Sequence, residues 1–175
     1  LITGPVKLAL PEAIPTKTVE TSSEMLEEVL NSVSDCDIFI SAAAISDYKP
    51  SDTLTEKHKS ADGDLNIKLV RGEDILKTAK LKNKNVFAVG FSAETKNIEQ
   101  NAKAKLVSKK IDMIIANEAN HQKGLGFESD YNQIVIINES ETISIPLNSK
   151  KELAKIIIHK IVSIYKKNLL KIKNA

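Results

Sequence analysis

Three short, uninterrupted apolar runs constrain the fold of this chain more than any other feature. Ile38–Ile40, Val86–Val89 and Met113–Ala116 are too short for helices, and such runs are typical of strands buried on both faces of a sheet. Stretches with helical spacing alternate with them, and one of these, Met25 to Val33, precedes the first run and follows Thr21–Glu24, which has capping-box spacing. The alternation predicts an α/β domain with a Rossmann-like, three-layer α/β/α architecture and a mostly parallel sheet.

The remaining patterns predict an antiparallel hairpin beside the parallel sheet and one irregular segment outside it. Residues 134–137 and 142–145 predict a C-terminal hairpin, and the apolar positions between Leu153 and Ile164 predict a final amphipathic helix. Leu65–Leu69 alternates apolar and polar residues, which predicts a strand with one covered face inside an irregular segment from 45 to 70. The 175 residues suit a single domain, residues 1–175.

Composition excludes several classes of protein. A net charge of +2, 4% aromatic residues and no Trp argue against a nucleic-acid-binding surface. The single cysteine, Cys36, has no disulfide or zinc partner, and the acids on either side of it oppose a thiolate. No apolar run approaches the ~20 residues that span a bilayer, and we expect no signal peptide. We therefore expect a cytoplasmic protein with no membrane or nucleic-acid partner.

The chain starts on Leu1 rather than Met, and Leu1–Thr3 has the pattern of the end of a strand. We expect that the natural chain begins earlier. Neither of the two glycine-rich phosphate motifs, Gly-x-Gly-x-x-Gly and Gly-x-x-x-x-Gly-Lys-Ser/Thr, is present.

Candidate chemistry lies where the predicted strands end, because open parallel sheets bind ligands beyond their carboxyl ends. Small residues, Ser41–Ala44 and Gly90–Glu94, follow two of the strands, and Asn117 follows the third. They either admit a flat base to the backbone or pack beneath a helix. Asp47 is either a ligand of ribose or magnesium or an ordinary loop residue.

Charged residues further along the chain also allow two interpretations each. Lys57–Lys59 is either a phosphate-neutralising loop or a solvated charge run. Gly72–Ile75 opens a helix whose free N–H groups favour phosphate, unless Glu73 and Asp74 cap that helix themselves. Lys105 and Lys109 share one helix face, where an anion or an acid would relieve their repulsion.

The order and spacing of these stretches resemble one family, the phosphopantothenate–cysteine ligases, also called phosphopantothenoylcysteine synthetases. The likeness runs from about residue 2 to the final helix, and Ala42–Tyr48 and Gly90–Thr95 are its most specific parts. The stretches that carry it are Ala42–Tyr48, Glu56–Lys59, Leu69–Ile75, Val89–Thr95, Ala102–Lys105 with Lys109, Asp112 and Asn117, and Gly126–Asp130 with Asn132.

The resemblance implies a two-step ligation. A nucleoside triphosphate, CTP more than ATP on the bacterial type of the motifs, activates the carboxylate of 4'-phosphopantothenate as an acyl-nucleotide, and cysteine then displaces the nucleotide. The positions that match nucleotide contacts of the family are Ser41, Ala42, Ala43, Asp47, Lys57, Gly72, Glu73, Asp74, Ile75, Phe91, Lys105 and Lys109. Lys57 matches a catalytic lysine, Asp47 is the candidate magnesium ligand, and the 65–70 strand matches a protruding arm that pairs two subunits into a homodimer.

The chain also departs from the family's pattern. The lysine motif reads Lys57-His58-Lys59-Ser60 and lacks its last lysine, and the helix start reads Gly-Glu-Asp-Ile rather than Asn-Pro-Asp-Ile. The family's first strand, glycine-rich turn and phosphopantothenate loop have no counterpart in these residues, so we expect binding without efficient ligation if the protein begins at Leu1. A fused flavin-dependent decarboxylase domain, which would bring FMN, is also without a counterpart.

Two other functions stay open on the residues. An NAD(P)-dependent oxidoreductase shares this fold, although its glycine fingerprint and the acid about 20 residues later are missing. A non-catalytic nucleotide-binding or dimerisation module is the other alternative.

Overall fold

A computed structural model of the chain describes residues 1–52, 65–118 and 129–173. In those residues no helix combines the length and the apolar character needed to cross a membrane. The strands of the described residues, in chain order, are β1 (Ile2–Thr3), β2 (Lys17–Thr18), β3 (Ile38–Ser41), β4 (Tyr48–Pro50), β5 (Leu69–Arg71), β6 (Phe87–Glu94), β7 (Met113–Glu118), β8 (Tyr131–Asn138) and β9 (Thr142–Ser149). Its α-helices are α1 (Ser22–Ser32), α2 (Ile75–Lys82), α3 (Ile98–Lys109) and α4 (Lys150–Lys173).

A five-stranded sheet in the order β3-β6-β7-β8-β9 forms the centre of the fold. The three predicted apolar strands are neighbours in it, and they run parallel. The predicted hairpin, β8 and β9, continues the sheet in antiparallel orientation from β7. The predicted mixed α/β sheet is therefore confirmed.

Helices cover both faces of this sheet and give it three layers. On one face the core contains Met25 of α1, Leu76 of α2 and Ala102 of α3. On the other face Leu153 and Ile161 of α4 pack on the sheet. The predicted three-layer arrangement follows from the two-sided burial of the central strands.

The capping box before α1 is present as predicted. The Thr21 hydroxyl accepts a hydrogen bond from the Glu24 N–H at 3.1 Å, and the Glu24 carboxylate bonds back to the Thr21 N–H. These two bonds satisfy N–H groups that the first turn of a helix leaves without partners.

The prediction for the strand at 65–69 is only partly correct. The strand covers Leu69–Arg71, and it pairs antiparallel with Tyr48–Pro50 in a separate two-stranded unit. Leu65 and Ile67 are 47% and 62% exposed, so nothing in the described chain covers their face. Alternation indicates that these side chains share one face, but it does not show that another part of the protein covers that face.

Gly90, on β6, lies beneath the side chains of Leu76, on α2, and Ile111, which follows α3. A Cβ atom added there would lie 2.6 Å from Leu76 Cδ2 and 3.0 Å from Ile111 Cδ1, and both of those side chains are buried. Overpacking of this kind costs about 1–3 kcal/mol. Gly90 therefore permits the close packing of α2 on the sheet.

Gly90→Ala is expected to lower the free energy of unfolding by about 1–2 kcal/mol, because the Leu76 and Ile111 methyl groups must move. The matched control is Gly4→Ala, since a Cβ there would meet only the Val19 carbonyl oxygen, at 3.9 Å. Urea unfolding of both variants measures the difference. Equal stabilities for the two variants would show that the space around Gly90 is not tight.

Candidate functional site

The carboxyl ends of β3, β6 and β7 meet at one edge of the sheet. Ser41 is the register partner of Gly90, and Asn117 is the partner of Ala93. The small residues picked out by the sequence therefore lie side by side, at the position where open parallel sheets bind ligands.

The loop after β3 brings Asp47 beside the residues that precede α2. The Gly72 N–H donates to the Asp47 carbonyl oxygen at 2.8 Å. This bond lies next to the antiparallel pairing of β4 with β5. The Asp47 side chain is exposed, and so is that of Glu73. Two predicted parts of the site, separated by 25 residues of sequence, are thus adjacent.

Asp74 caps α2 and also reaches α3. Its Oδ1 accepts from the Lys77 N–H at 3.0 Å, and its Oδ2 lies 2.9 Å from Lys109 Nζ. Burial raises the pKa of this carboxyl, but the hydrogen bonds from Lys109 and from the Lys77 N–H outweigh it, and the pKa is lowered. The capping interpretation of Asp74 therefore holds, and Lys109 is brought to the start of α2. Ile75, predicted as a nucleotide contact, is a buried core residue.

Lys105 is held at the carboxyl end of β6. Its Nζ donates to Glu94 Oε1 at 2.6 Å and to Ser92 Oγ at 2.9 Å. Ser92 also donates to Glu94 Oε1, and Asn101 Nδ2 donates to Glu94 Oε2 at 3.0 Å. Burial raises the Glu94 pKa, but these three partners lower it by more, so the carboxylate is the stable form.

The faces of β6 divide the predicted site into two parts. Ser92 and Glu94 face α3, whereas the side chain of Phe91 points to the opposite face. There Phe91 and Ala42 line a mainly apolar cavity of about 340 Å³ beneath the start of α4. A ligand that contacts both Phe91 and Lys105 must therefore cross the rim of the sheet.

A second space lies between β1 and β3. It is a groove of about 960 Å³, and Ser41, Ala42 and Ala43 line its end at the rim. Lys57 lies outside the described residues, so its predicted place in the site stays a prediction. In the described ranges no three His, Cys, Asp or Glu side chains gather as they would around a tightly held metal ion.

The contacts of several residues that shape the site were not predicted from the sequence, although Gly90–Glu94, Asn117 and Asn132 were picked out by position. Ser92 and Glu94 fix Lys105, Asn101 holds Glu94, and Asn117 and Asn132 bring amide groups to the cavity under α4. The signal for Ser92 and Glu94 was their spacing of two residues on a strand, which places both on one face.

Asp74→Asn tests the charge at the start of α2 separately from the cap. Asparagine caps helices as well as aspartate does, so this variant keeps most of its stability at pH 7, whereas Asp74→Ala loses about 1 kcal/mol. Because the folded-state pKa of Asp74 is lowered, the stability it contributes is fully present above its usual value of about 3.9 and is lost as the pH falls through the lower folded value. Urea unfolding from pH 7 to pH 3 should show a steeper acid loss for the wild type than for Asp74→Asn. Parallel pH curves would contradict the charge pairing.

Comparisons with known proteins agree with this architecture. Residues 1–165 match the family model described as DNA/pantothenate metabolism flavoprotein C-terminal domain. The coenzyme A biosynthesis bifunctional protein CoaBC of Vibrio vulnificus is 36% identical over 167 residues, which cover 94% of this chain and 41% of that protein. The chain thus spans about two fifths of the length of such curated relatives.

Solved structures show the same fold. The crystal structure of the C-terminal domain of CoaBC superposes with a TM-score of 0.76 at 30% identity, and the match covers 95% of this chain and 74% of that one. A Cab2 variant in complex with phosphopantothenate-cysteine superposes with a TM-score of 0.70 at 16% identity, over 90% of this chain and 55% of that one. The second likeness is evidence for the fold alone. The family model and the CoaBC relatives together establish that this chain belongs to the DNA/pantothenate metabolism flavoprotein C-terminal domain family.

Proposed function

We propose that this domain is a phosphopantothenate–cysteine ligase of coenzyme A biosynthesis, which joins 4'-phosphopantothenate to cysteine through an acyl-nucleotide. The observation that carries the proposal is the position of two lysines of α3, since Lys105 is held at the carboxyl end of β6 and Lys109 is paired with Asp74 at the start of α2. Membership of the family and the coenzyme A biosynthesis named for its CoaBC relatives support the choice of substrates.

In this proposal the nucleotide lies at the carboxyl rim of the sheet, and its phosphates are on the face that α2 and α3 cover. The backbone of Ser41–Ala43 meets the base, and the ammonium groups of Lys105 and Lys109 meet the phosphates. The triphosphate needs such fixed positive charge, because pyrophosphate carries away negative charge as the acyl-nucleotide forms. Lys57 would act on the same phosphates.

The chemistry asks for positioning more than for a protein nucleophile. The substrate carboxylate attacks the α-phosphorus and pyrophosphate leaves, and the amine of cysteine then attacks the acyl carbon and releases the nucleoside monophosphate. Both steps gain from holding the reacting atoms in line. The cavity under α4 opens at the rim opposite the lysines, so it offers the carboxylate an approach from the other side of β6.

Magnesium fits this site as an ion that travels with the triphosphate. The exposed carboxylates near the rim, Asp47 and Glu73, are too few for an all-protein cage, and Mg²⁺ usually combines one or two carboxylates with phosphate oxygens and water. Among these we assign Asp47 as the tentative ligand. FMN would enter only with a fused decarboxylase domain.

The arm formed by β4 and β5 supports a homodimer. Leu65, Ile67 and Leu69 alternate along it and are 47%, 62% and 57% exposed. A row of apolar side chains that no other described residue covers is what a second subunit would cover.

The groove beside β3 supports the idea that a further strand completes the sheet. It separates β1 from β3, and β3 pairs only with β6 among the described strands. A parallel strand between β1 and β3 would satisfy both open edges. We propose that the family's first strand and its phosphopantothenate loop occupy this groove, with the loop at the rim.

Pyrophosphate release tests the function. The protein is incubated with 4'-phosphopantothenate, cysteine, Mg²⁺ and either CTP or ATP, both as residues 1–175 and with the family's first strand and loop fused ahead of Leu1. The proposal predicts release that requires phosphopantothenate and is faster with CTP. Nucleotide binding without turnover in both forms would instead identify a non-catalytic module, and NADPH binding with no release would favour an oxidoreductase.

A further inference from the structure

We propose that Glu94 is a positioning residue of the nucleotide site, which holds the Lys105 ammonium at the rim for a phosphate group. This inference rests on the proposed function and adds a residue to it. Among the described residues, Lys105 is the predicted site residue to which Glu94 is hydrogen-bonded, so we infer that Glu94 acts on the nucleotide through that lysine.

The geometry favours a fixed anchor over a partner that moves aside. Both carboxylate oxygens of Glu94 are already held by protein donors, from Ser92 and Asn101, and the side chain is only 11% exposed. Lys105 is 44% exposed, and its two recorded bonds use two of its three N–H groups. The ammonium can therefore stay on Glu94 and Ser92 while its remaining N–H reaches a phosphate oxygen.

The anchor lowers the entropic cost of binding a phosphate through Lys105. A lysine side chain loses rotamer freedom when it is fixed on a ligand, and an anchor that fixes it beforehand removes part of that loss. Glu94→Gln keeps the size and an oxygen acceptor but removes the charge. We expect this variant to raise the KM for the nucleoside triphosphate about tenfold and to change kcat by less than about twofold.

The matched control is Glu99→Gln. Glu99 also pairs with a lysine of α3, Lys103, but at 3.8 Å and with both side chains more than half exposed. Exposed helix pairs of this kind contribute little, so the control should retain the wild-type KM. A loss in Glu99→Gln equal to that in Glu94→Gln would overturn the proposal, because any lost acid would then have the same effect.

A double variant separates positioning from a general structural effect. If Glu94 acts through Lys105, Glu94→Gln should change KM by less than about twofold when Lys105 is already Met. A further tenfold rise in that background would show that Glu94 acts by another route and would overturn the proposal.

Titration with CTP or ATP by calorimetry gives a second readout that does not depend on turnover, and it should show the same factor in Kd. Asn101→Ser, which removes one donor to Glu94, should shift Kd in the same direction, and an unchanged Kd in both single variants would also overturn the proposal.

This outcome is distinguishable from failure of the proposed function. If Lys105→Met weakens the nucleotide while Glu94→Gln does not, the site stands and the anchor is wrong. If neither phosphopantothenate-dependent release nor nucleotide binding occurs in the wild type, the function itself is wrong.

Discussion

Lys105→Met is expected to lower phosphopantothenate-dependent pyrophosphate release by about 10²–10³-fold in kcat/KM. Removing one preorganised donor from a site where charge develops has an effect of this size. Lys105 qualifies because Glu94 and Ser92 hold its ammonium in place at the rim. Methionine retains the unbranched stem, so the loss reports mainly on the charge.

The control for this variant lies on the same helix. Lys103 is two residues away, its side chain is 54% exposed, and it forms a long ion pair, 3.8 Å, with Glu99. Lys103→Met should release pyrophosphate within about twofold of the wild type. Equal losses in the two lysine variants would mean that the helix needs its overall positive charge and that Lys105 has no specific role.

Lys80→Met is expected to lower the free energy of unfolding by about 2–4 kcal/mol. Lys80 Nζ donates to the Val86 carbonyl at 2.6 Å and to Asp112 Oδ2 at 2.8 Å, and the same oxygen accepts from the Ala88 N–H at 2.8 Å. The two side chains are 14% and 27% exposed. Breaking a buried pair costs about 3–5 kcal/mol because a charge is left without its partner, and partial exposure lowers that figure here.

A double-mutant cycle measured by urea unfolding identifies the pair as the cause. Asp112→Asn keeps an acceptor for the Ala88 N–H but removes the charge. The double variant with Lys80→Met should be more stable than the sum of the two single losses predicts, because neither charge is then left alone. Strict additivity, or a loss below about 1 kcal/mol for Lys80→Met, would contradict this role.

The main sheet was predictable because short apolar runs report burial on both faces directly. The three parallel strands and the C-terminal hairpin lie within a few residues of their predicted positions. The strand at 65–69 was less predictable, since alternation places side chains on one face without saying whether anything covers it. Leu65 and Ile67 alternate as a covered strand face would, yet both side chains are exposed.

The site was predictable as a location but not as a set of contacts. The positions of Lys105 and Lys109 on one helix face followed from their spacing. Their partners did not, because Glu94 lies 11 residues before Lys105 and Asp74 reaches Lys109 only through the packing of α2 against α3. The separation of Phe91 from the lysines depends on which face α3 covers, and that follows from the chain crossover rather than from any local pattern.

A crystal structure with CTP or a non-hydrolysable analogue bound would test the central claim most directly. The account predicts the phosphates within hydrogen-bond distance of Lys105 Nζ and Lys109 Nζ, on the α2 and α3 face of the sheet, with the base against Ser41–Ala43. A nucleotide seated wholly in the cavity beside the Phe91 ring, with its phosphates away from both lysines, would contradict it.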